Sequence, residues 1–191
     1  MEHKLPEPLA CPVTENMPGI ALPALPNFPV VLLCGAGTLA LEVAKLATQA
    51  RFVVDIVDSD AEKIPENMFP MARNLFSVPE FTDLAEQCAI GGTHYIAILT
   101  HASHHSHTIL SQALHSTARY IGMIGSREKR APLFAQLCEQ GMPKMELACV
   151  RCPIGLPIGA QSPEELAIAI VAEIIAAREG CLPRTVLPKD L

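Results

Sequence analysis

Four stretches of this chain carry residues whose type and spacing could do chemistry. Gly35-Ala36-Gly37-Thr38-Leu39-Ala40 follows the apolar run 30–34 and opens a segment of helical spacing, which fits the G-x-G-x-x-A variant of a dinucleotide fingerprint. In such a loop the first glycine permits a tight turn, and the second lets a phosphate approach N–H groups at the helix N-terminus. Asp58 ends the next apolar run, 21 residues beyond Gly37. A carboxylate there would bind ribose hydroxyls and disfavour a 2′-phosphate. The plain alternative is a tight turn that holds no ligand.

The second stretch, HASHHSH at 101–107, concentrates imidazoles directly after Thr100. His101, His104 and His105 would share a face if the segment is helical, a possible metal constellation. No second group of Cys, Asp or Glu at ligand spacing accompanies them, so no metal is assigned. Thr100 and His101 read instead as polar groups lining a cleft.

The third stretch, YIGMIGSREKRA at 120–131, reads as a buried strand that enters a helix through Gly125 and Ser126. Arg127, Lys129 and Arg130 fall in the first turn and a half. The helix dipole disfavours cations there by less than about 1 kcal/mol each. An anion held between the Gly125 N–H and Arg127 would account for them. An exposed basic turn is the other reading, above all for Lys129 and Arg130.

In the fourth stretch, Cys149-x-x-Cys152 has redox or zinc spacing, but it lacks a second pair and does not open a helix after a strand. Cys152 alone precedes the proline-framed loop PIGLPIGA at 153–160 and is placed to face a cleft. Its plain reading is a small buried residue.

The elements that must position these groups alternate strand with helix. Strands are expected at 30–34, 52–57, 75–78, 94–100 and 119–124. Helices are expected at 38–50, 81–88, 105–115 and 126–140, and a last one has Ser162 as N-cap, Pro163 at its first position and Glu165 completing a capping box, and ends at Gly180. Such alternation implies right-handed βαβ units and an open, doubly wound, mainly parallel α/β sheet with helices on both faces. Ligands in such sheets bind beyond the carboxyl ends of the strands where the strand order reverses. The loops after strands 30–34, 94–100 and 119–124 would meet there. The chain divides into a proline-rich arm at 1–28, one domain at 29–180 and a tail at 181–191.

Composition agrees with a buried core: half the residues are hydrophobic and 18% are charged. The net charge of −6 argues against a nucleic-acid partner. Neither a secretory signal nor a membrane span is visible, so a cytoplasmic protein is expected. The cysteines at 11, 34, 88, 138, 149, 152 and 181 are odd in number and scattered, the pattern of reduced thiols, with Cys34, Cys88 and Cys138 as core filler.

Together GAG at 35–37, Asp58, Thr100-His101, YIGMIGSREKR at 120–130 and PIGLPIGAQSPEELAIAI at 153–170 resemble the Rossmann domain of the XdhC/CoxI family. The resemblance spans roughly 29–180 and implies a Rossmann-like fold. It also implies an accessory role: binding molybdenum cofactor (molybdopterin or its dinucleotide), helping it acquire sulfur with a cysteine desulfurase, and inserting it into a xanthine dehydrogenase-like molybdenum hydroxylase. Cys152 would then ligate, or receive sulfur on, molybdenum, as soft ligands suit soft centres. Thr38 stands where many members carry a histidine.

Two other readings belong to different classes. An NAD(P)-dependent oxidoreductase would need an acid–base group, for which His101 and His105 are the candidates, since Tyr95 and Tyr120 lie in strands. A pure interaction module would use the proline-rich arm to dock a partner. The last helix, LAIAIVAEIIAA, is apolar on several faces apart from Glu165 and Glu173, and so needs a second covering surface. The arm or a second subunit could provide it, and a homodimer is expected.

Overall fold

In the computed structural model residues 28–65, 67–100 and 103–182 are described, with the backbone alone for Ser103, Arg127 and Lys129. The arm at 1–28 and the tail at 181–191 fall outside them except at their boundaries. The expected α/β architecture is found. Strands β1 (Val30–Cys34), β2 (Val53–Asp58), β3 (Asn74–Ser77), β4 (His94–Ile98) and β5 (Tyr120–Met123) form one parallel sheet in the order β3-β2-β1-β4-β5.

A parallel strand buried on both faces reads as an unbroken apolar run, and successive side chains take opposite sides. In β1, Val31 and Leu33 face a layer containing α1 (Thr38–Gln49), whereas Leu32 and Cys34 face the opposite layer. Helices α3 (Ser103–Leu114) and α4 (Arg127–Glu139) build that opposite layer through Ile109, Leu110, Phe134 and Leu137. The chain thus changes face between β1 and β4, which puts the switch point there.

Helix α6 (Pro163–Arg178) packs on α1 and the sheet. Its start is the expected capping box: Glu165 N donates to Ser162 Oγ at 3.2 Å, and Ser162 N donates to Glu165 Oε2 at 3.1 Å. Part of the covering that its apolar faces require comes from α1, the sheet and the 153–160 loop. Ala167, Ala169, Ile170, Val171 and Ile174 are buried, and among its large apolar residues Ile168 stands out at 52% exposure. Gly155, at φ +103°, brings the 153–160 loop so close that a Cβ there would lie 3.2 Å from Ala169 Cβ. Glu173 is buried too: Tyr120 Oη donates to its Oε1 at 2.5 Å, and Arg151 Nη2 lies 3.4 Å from its Oε2.

Several boundaries differ from expectation. The helix expected over 81–88 shrinks to α2 (Leu84–Gln87), after a 3-10 turn at Pro79–Phe81. Glu80, Phe81 and Asp83 have φ of 52°, 54° and 56°, which breaks a helical path. Strand β4 stops at Ile98, although Leu99 N still donates to Cys34 O of β1 at 2.8 Å, and α3 starts two residues earlier than expected. A short helix α5 (Lys144–Leu147) was not expected. After it, Arg151 bridges Gly122, so the backbone at 151 runs briefly beside β5. Among the described residues no helix is long and apolar enough to cross a membrane.

Candidate functional site

The glycine loop is held by its own neighbours. Gly35, at φ +106°, passes so close to β4 that a Cβ would lie 3.0 Å from Thr100 N. Its N–H donates to Val57 O at 2.8 Å. Asp58, 6% exposed, accepts the Ala36 N–H on Oδ2 at 2.8 Å and the Asp60 N–H on Oδ1 at 3.1 Å. Lys63 Nζ lies 3.9 Å from the same Oδ1. The acid expected on ribose thus holds the loop that precedes α1 through one oxygen and the turn after β2 through the other.

The front of that loop is open. Gly37 caps α1 without a side-chain hydrogen bond, and a Cβ at Gly37 would meet nothing within 4 Å. Thr38 and Leu39 follow as the first helical residues, whose N–H groups have no partner inside the helix.

A cleft of about 820 Å³ lies beyond the carboxyl ends of β4 and β5, between α3 and α4. Its polar lining includes Thr100, His104, His107, Gly125, Arg130 and Cys152, and Met123, Ile124, Pro132 and Leu133 add apolar wall. Cys152 reaches it because Ile154 N donates to Met123 O at 2.9 Å, which keeps the chain along the end of β5. The Cys152 residue is 7% exposed, and its thiol donates to Gly125 O at 3.6 Å. Burial pushes its pKa up and the Arg130 charge opposes that rise, so the thiol is neutral near pH 7.

Arg130 is a buried cation at 8% exposure. Its Nη1 donates to Cys152 O at 3.1 Å, and its guanidinium lies 5.2 Å from the Phe134 ring centre. His107 Nε2 is buried and has no hydrogen-bond partner. A polar atom in that state points to a missing partner.

Of the residues singled out from the sequence, Thr100, Gly125 and Cys152 come together in this cleft. Gly35, Ala36, Gly37, Thr38, Leu39 and Asp58 form an adjoining loop that reaches the cleft through Thr100 rather than lining it. Ser126 is exposed just before α4, and Arg127 opens that helix, its side chain outside the described atoms. His101 lies outside the described residues. The described cation of the cleft is Arg130, which the basic-turn reading placed at the surface. Its signal was spacing: Arg130, Phe134 and Leu137 fall at i, i+4 and i+7, and all three are buried. His104 and His107 were missed as cleft residues, since the helix presents them, and not His105, to the cavity. Cys149 is exposed and donates to Met145 O at 3.4 Å; both it and Cys152 are free thiols.

Comparison with known proteins places these features. The XdhC Rossmann domain family matches residues 31–174. The chain is 29% identical over 157 residues to a protein of Bacillus subtilis (strain 168) described as a probable xanthine dehydrogenase subunit, a match that covers 79% of this chain and 43% of that protein. It is 27% identical over 152 residues to the uncharacterized protein YqeB of Escherichia coli (strain K12), covering 80% of this chain and 28% of that one. The chain therefore spans less than half the length of these curated relatives. Among solved structures it is similar to a xanthine dehydrogenase from Bacillus halodurans, with a TM-score of 0.70 and 28% identity over 80% of this chain and 43% of that chain. ChuY of Escherichia coli CFT073, at a TM-score of 0.50 and 16% identity over 77% of this chain and 90% of that one, shares the fold alone. The family match takes in the glycine loop, Asp58 and every residue that lines the cleft, and the chain belongs to the XdhC Rossmann domain family.

Proposed function

We propose that the chain is an accessory protein that binds molybdenum cofactor and assists maturation of a xanthine dehydrogenase-like molybdenum hydroxylase. The family and the names of its relatives support the class of partner. The observation that carries the ligand is local: a buried thiol, a buried guanidinium and a buried imidazole nitrogen without a partner share one cleft. Its volume of about 820 Å³ falls in the range of about 300–1,000 Å³ typical of small-molecule sites.

The residues fit the group. When bound, the cofactor supplies a soft metal centre carried on a phosphorylated pterin. Arg130 offers a cation already fixed by Cys152 O and Phe134, so little side-chain freedom is lost on pairing with a phosphate. Cys152 offers the soft ligand, and His107 Nε2 offers a hydrogen bond to a polar group of the pterin. Gly37, Thr38 and Leu39 are the groups that would hold the second phosphate of a dinucleotide form. Receipt of sulfur from a cysteine desulfurase belongs to the same proposal: the Cys152 sulfur would attack the outer sulfur of a persulfide on the desulfurase cysteine, the donor S–S bond breaking to return that cysteine as a thiol and leave the persulfide on Cys152. The NAD(P)-dependent alternative rests on the glycine loop, Asp58 and the histidines at 101 and 105, and the engagement of Asp58 with Ala36 and Asp60 leaves its ribose contact weaker.

The test is to mix purified chain with molybdenum cofactor released from a donor enzyme, pass it through gel filtration, and measure molybdenum and pterin in the protein peak. Co-elution with the wild type and its loss in Cys152→Ala and Arg130→Gln, with Cys149→Ala unaffected, is the expected result. Absence of cofactor from the wild-type peak, or equal retention by all variants, would overturn the reading. Calorimetry with NAD and NADP on the same preparation decides the alternative.

A further inference from the structure

The 3-10 turn at Pro79–Phe81 brings Glu80 against the first turn of α3. We infer that Glu80, His104 and His105 form a binding site for a divalent transition metal, zinc by preference, at the rim of the cleft. One ligand atom from each of the three residues can be chosen so that all lie within 4.8 Å of one another. Glu80 Oε2 is 3.4 Å from His105 Nε2 and 3.7 Å from His104 Nε2. Two ligands bonded at about 2.0–2.1 Å to a tetrahedral zinc stand about 3.4 Å apart, so small side-chain adjustments would close the site.

Four further observations point the same way. His105 Nε2 is buried and has no hydrogen-bond partner, although its side chain is only 17% exposed and Glu80 is beside it. A metal bond would satisfy that nitrogen. The His105 ring is held by an edge-on contact with Phe81 at 5.0 Å, which restricts its orientation. Glu80 itself sits at φ 52°, a conformation that non-glycine residues rarely keep without a reason in the surroundings. The turn is tied to α3 by Gln112, whose Nε2 donates to Phe81 O at 2.7 Å. Carboxylate and imidazoles are therefore presented by two elements fixed to each other.

Two imidazoles and one carboxylate suit zinc with an open fourth position, and the same set accepts cobalt. Because His104 also lines the cleft, a metal held here would stand at the edge of that cavity. The site is independent of the molybdenum reading, and its test needs no molybdenum cofactor. The untagged chain, stripped with a chelator, is titrated with zinc by competition against a chromophoric chelator, and with cobalt by visible absorption. One equivalent of zinc per chain and a tetrahedral cobalt spectrum are expected. Glu80→Gln and His105→Ala should each weaken zinc by at least about tenfold, a loss seen even for partners outside the first coordination shell. His115→Ala, at the far end of α3, should leave affinity unchanged. Absence of zinc binding by the wild type, survival of full affinity in both ligand variants, or an equal loss in His115→Ala overturns the site. Far-ultraviolet circular dichroism on each variant separates lost ligation from lost fold.

Discussion

Gly35→Ala and Gly37→Ala change the same atom count two residues apart, yet the structure assigns them opposite consequences. At Gly35 the backbone has φ +106°, which costs an L-residue about 1–3 kcal/mol. The new Cβ would also lie 3.0 Å from Thr100 N and 3.2 Å from Leu99 C, backbone atoms that cannot rotate aside. Forcing the loop after β1 away from the end of β4 adds about 1–3 kcal/mol of overpacking. The reduced freedom of the unfolded alanine chain returns about 0.4–1 kcal/mol. The net loss is about 1–5.5 kcal/mol, a large part of the about 5–15 kcal/mol that a domain possesses. At about 2–4 °C per kcal/mol this lowers Tm by roughly 2–22 °C. Gly37 has φ −82° and ψ −176°, extended backbone open to any residue, with nothing near its Cβ. Gly37→Ala should therefore lose less than about 1 kcal/mol. Equilibrium urea unfolding followed by circular dichroism measures both. A Gly35→Ala loss below about 1 kcal/mol, or equal losses for the two variants, would refute the contact with Thr100 as the determinant of the loop. Gly37→Ala also reports on function: if the loop holds a phosphate, this stably folded variant should lose dinucleotide affinity.

Further outcomes follow from buried polar groups. Tyr120→Phe removes the hydroxyl that donates to buried Glu173, and urea unfolding should show a loss of about 1.5–3 kcal/mol, with a change below about 0.5 kcal/mol contradicting it. Burial lowers the His94 pKa, with hydrogen bonding to Gly91 acting against it, so the folded value lies below the unfolded value of about 6.5. The stability this contributes is complete above that unfolded value and is lost as pH falls through the folded one. His94→Asn should flatten the decline in urea midpoint between pH 7 and 5, and parallel declines would count against the assignment. Cys152 should react with iodoacetamide far more slowly at pH 7 than exposed Cys149, by mass spectrometry, and Arg130→Gln should move its reactivity to still higher pH. Equal labelling of both thiols at pH 7 would contradict a buried, neutral Cys152.

The fold was legible where one segment carried its own answer. Val30–Cys34 is apolar on both faces, and the start of α6 spells out its cap in Ser162, Pro163 and Glu165. The site was legible only in part, because its partners are distant in sequence. Arg130 looked like a surface cation until Phe134 and the Cys152 carbonyl enclosed it. Glu173 looked like the polar interruption of an apolar helix, and its partner Tyr120 lies 53 residues upstream. The approach of Glu80 to the histidines depends on three non-glycine residues at positive φ, which local propensity does not announce. Asp58 was recognised by position, while its bond to Ala36 depends on how the two strand ends meet.

Glu173 also explains why Cys152 faces the cleft. Arg151 bridges Gly122 in parallel register, and its guanidinium reaches Glu173 on the α6 side of the sheet. Along extended chain successive side chains point to opposite faces. The next residue must then turn toward the α3 and α4 side, where Cys152 packs with Met123 and Phe134. A slip of one residue would place Arg151 among those apolar side chains and leave buried Glu173 without its cation, a costly exchange. The buried carboxylate on one face of the sheet thereby fixes the register that delivers a thiol to the other. Tyr120 closes the same arrangement, since it lies on β5 two residues before Gly122 and holds the second oxygen of Glu173. The polar residues that interrupt the apolar pattern of β5 and α6 thus hold Cys152 beside Arg130, at the end of the sheet where the cleft opens.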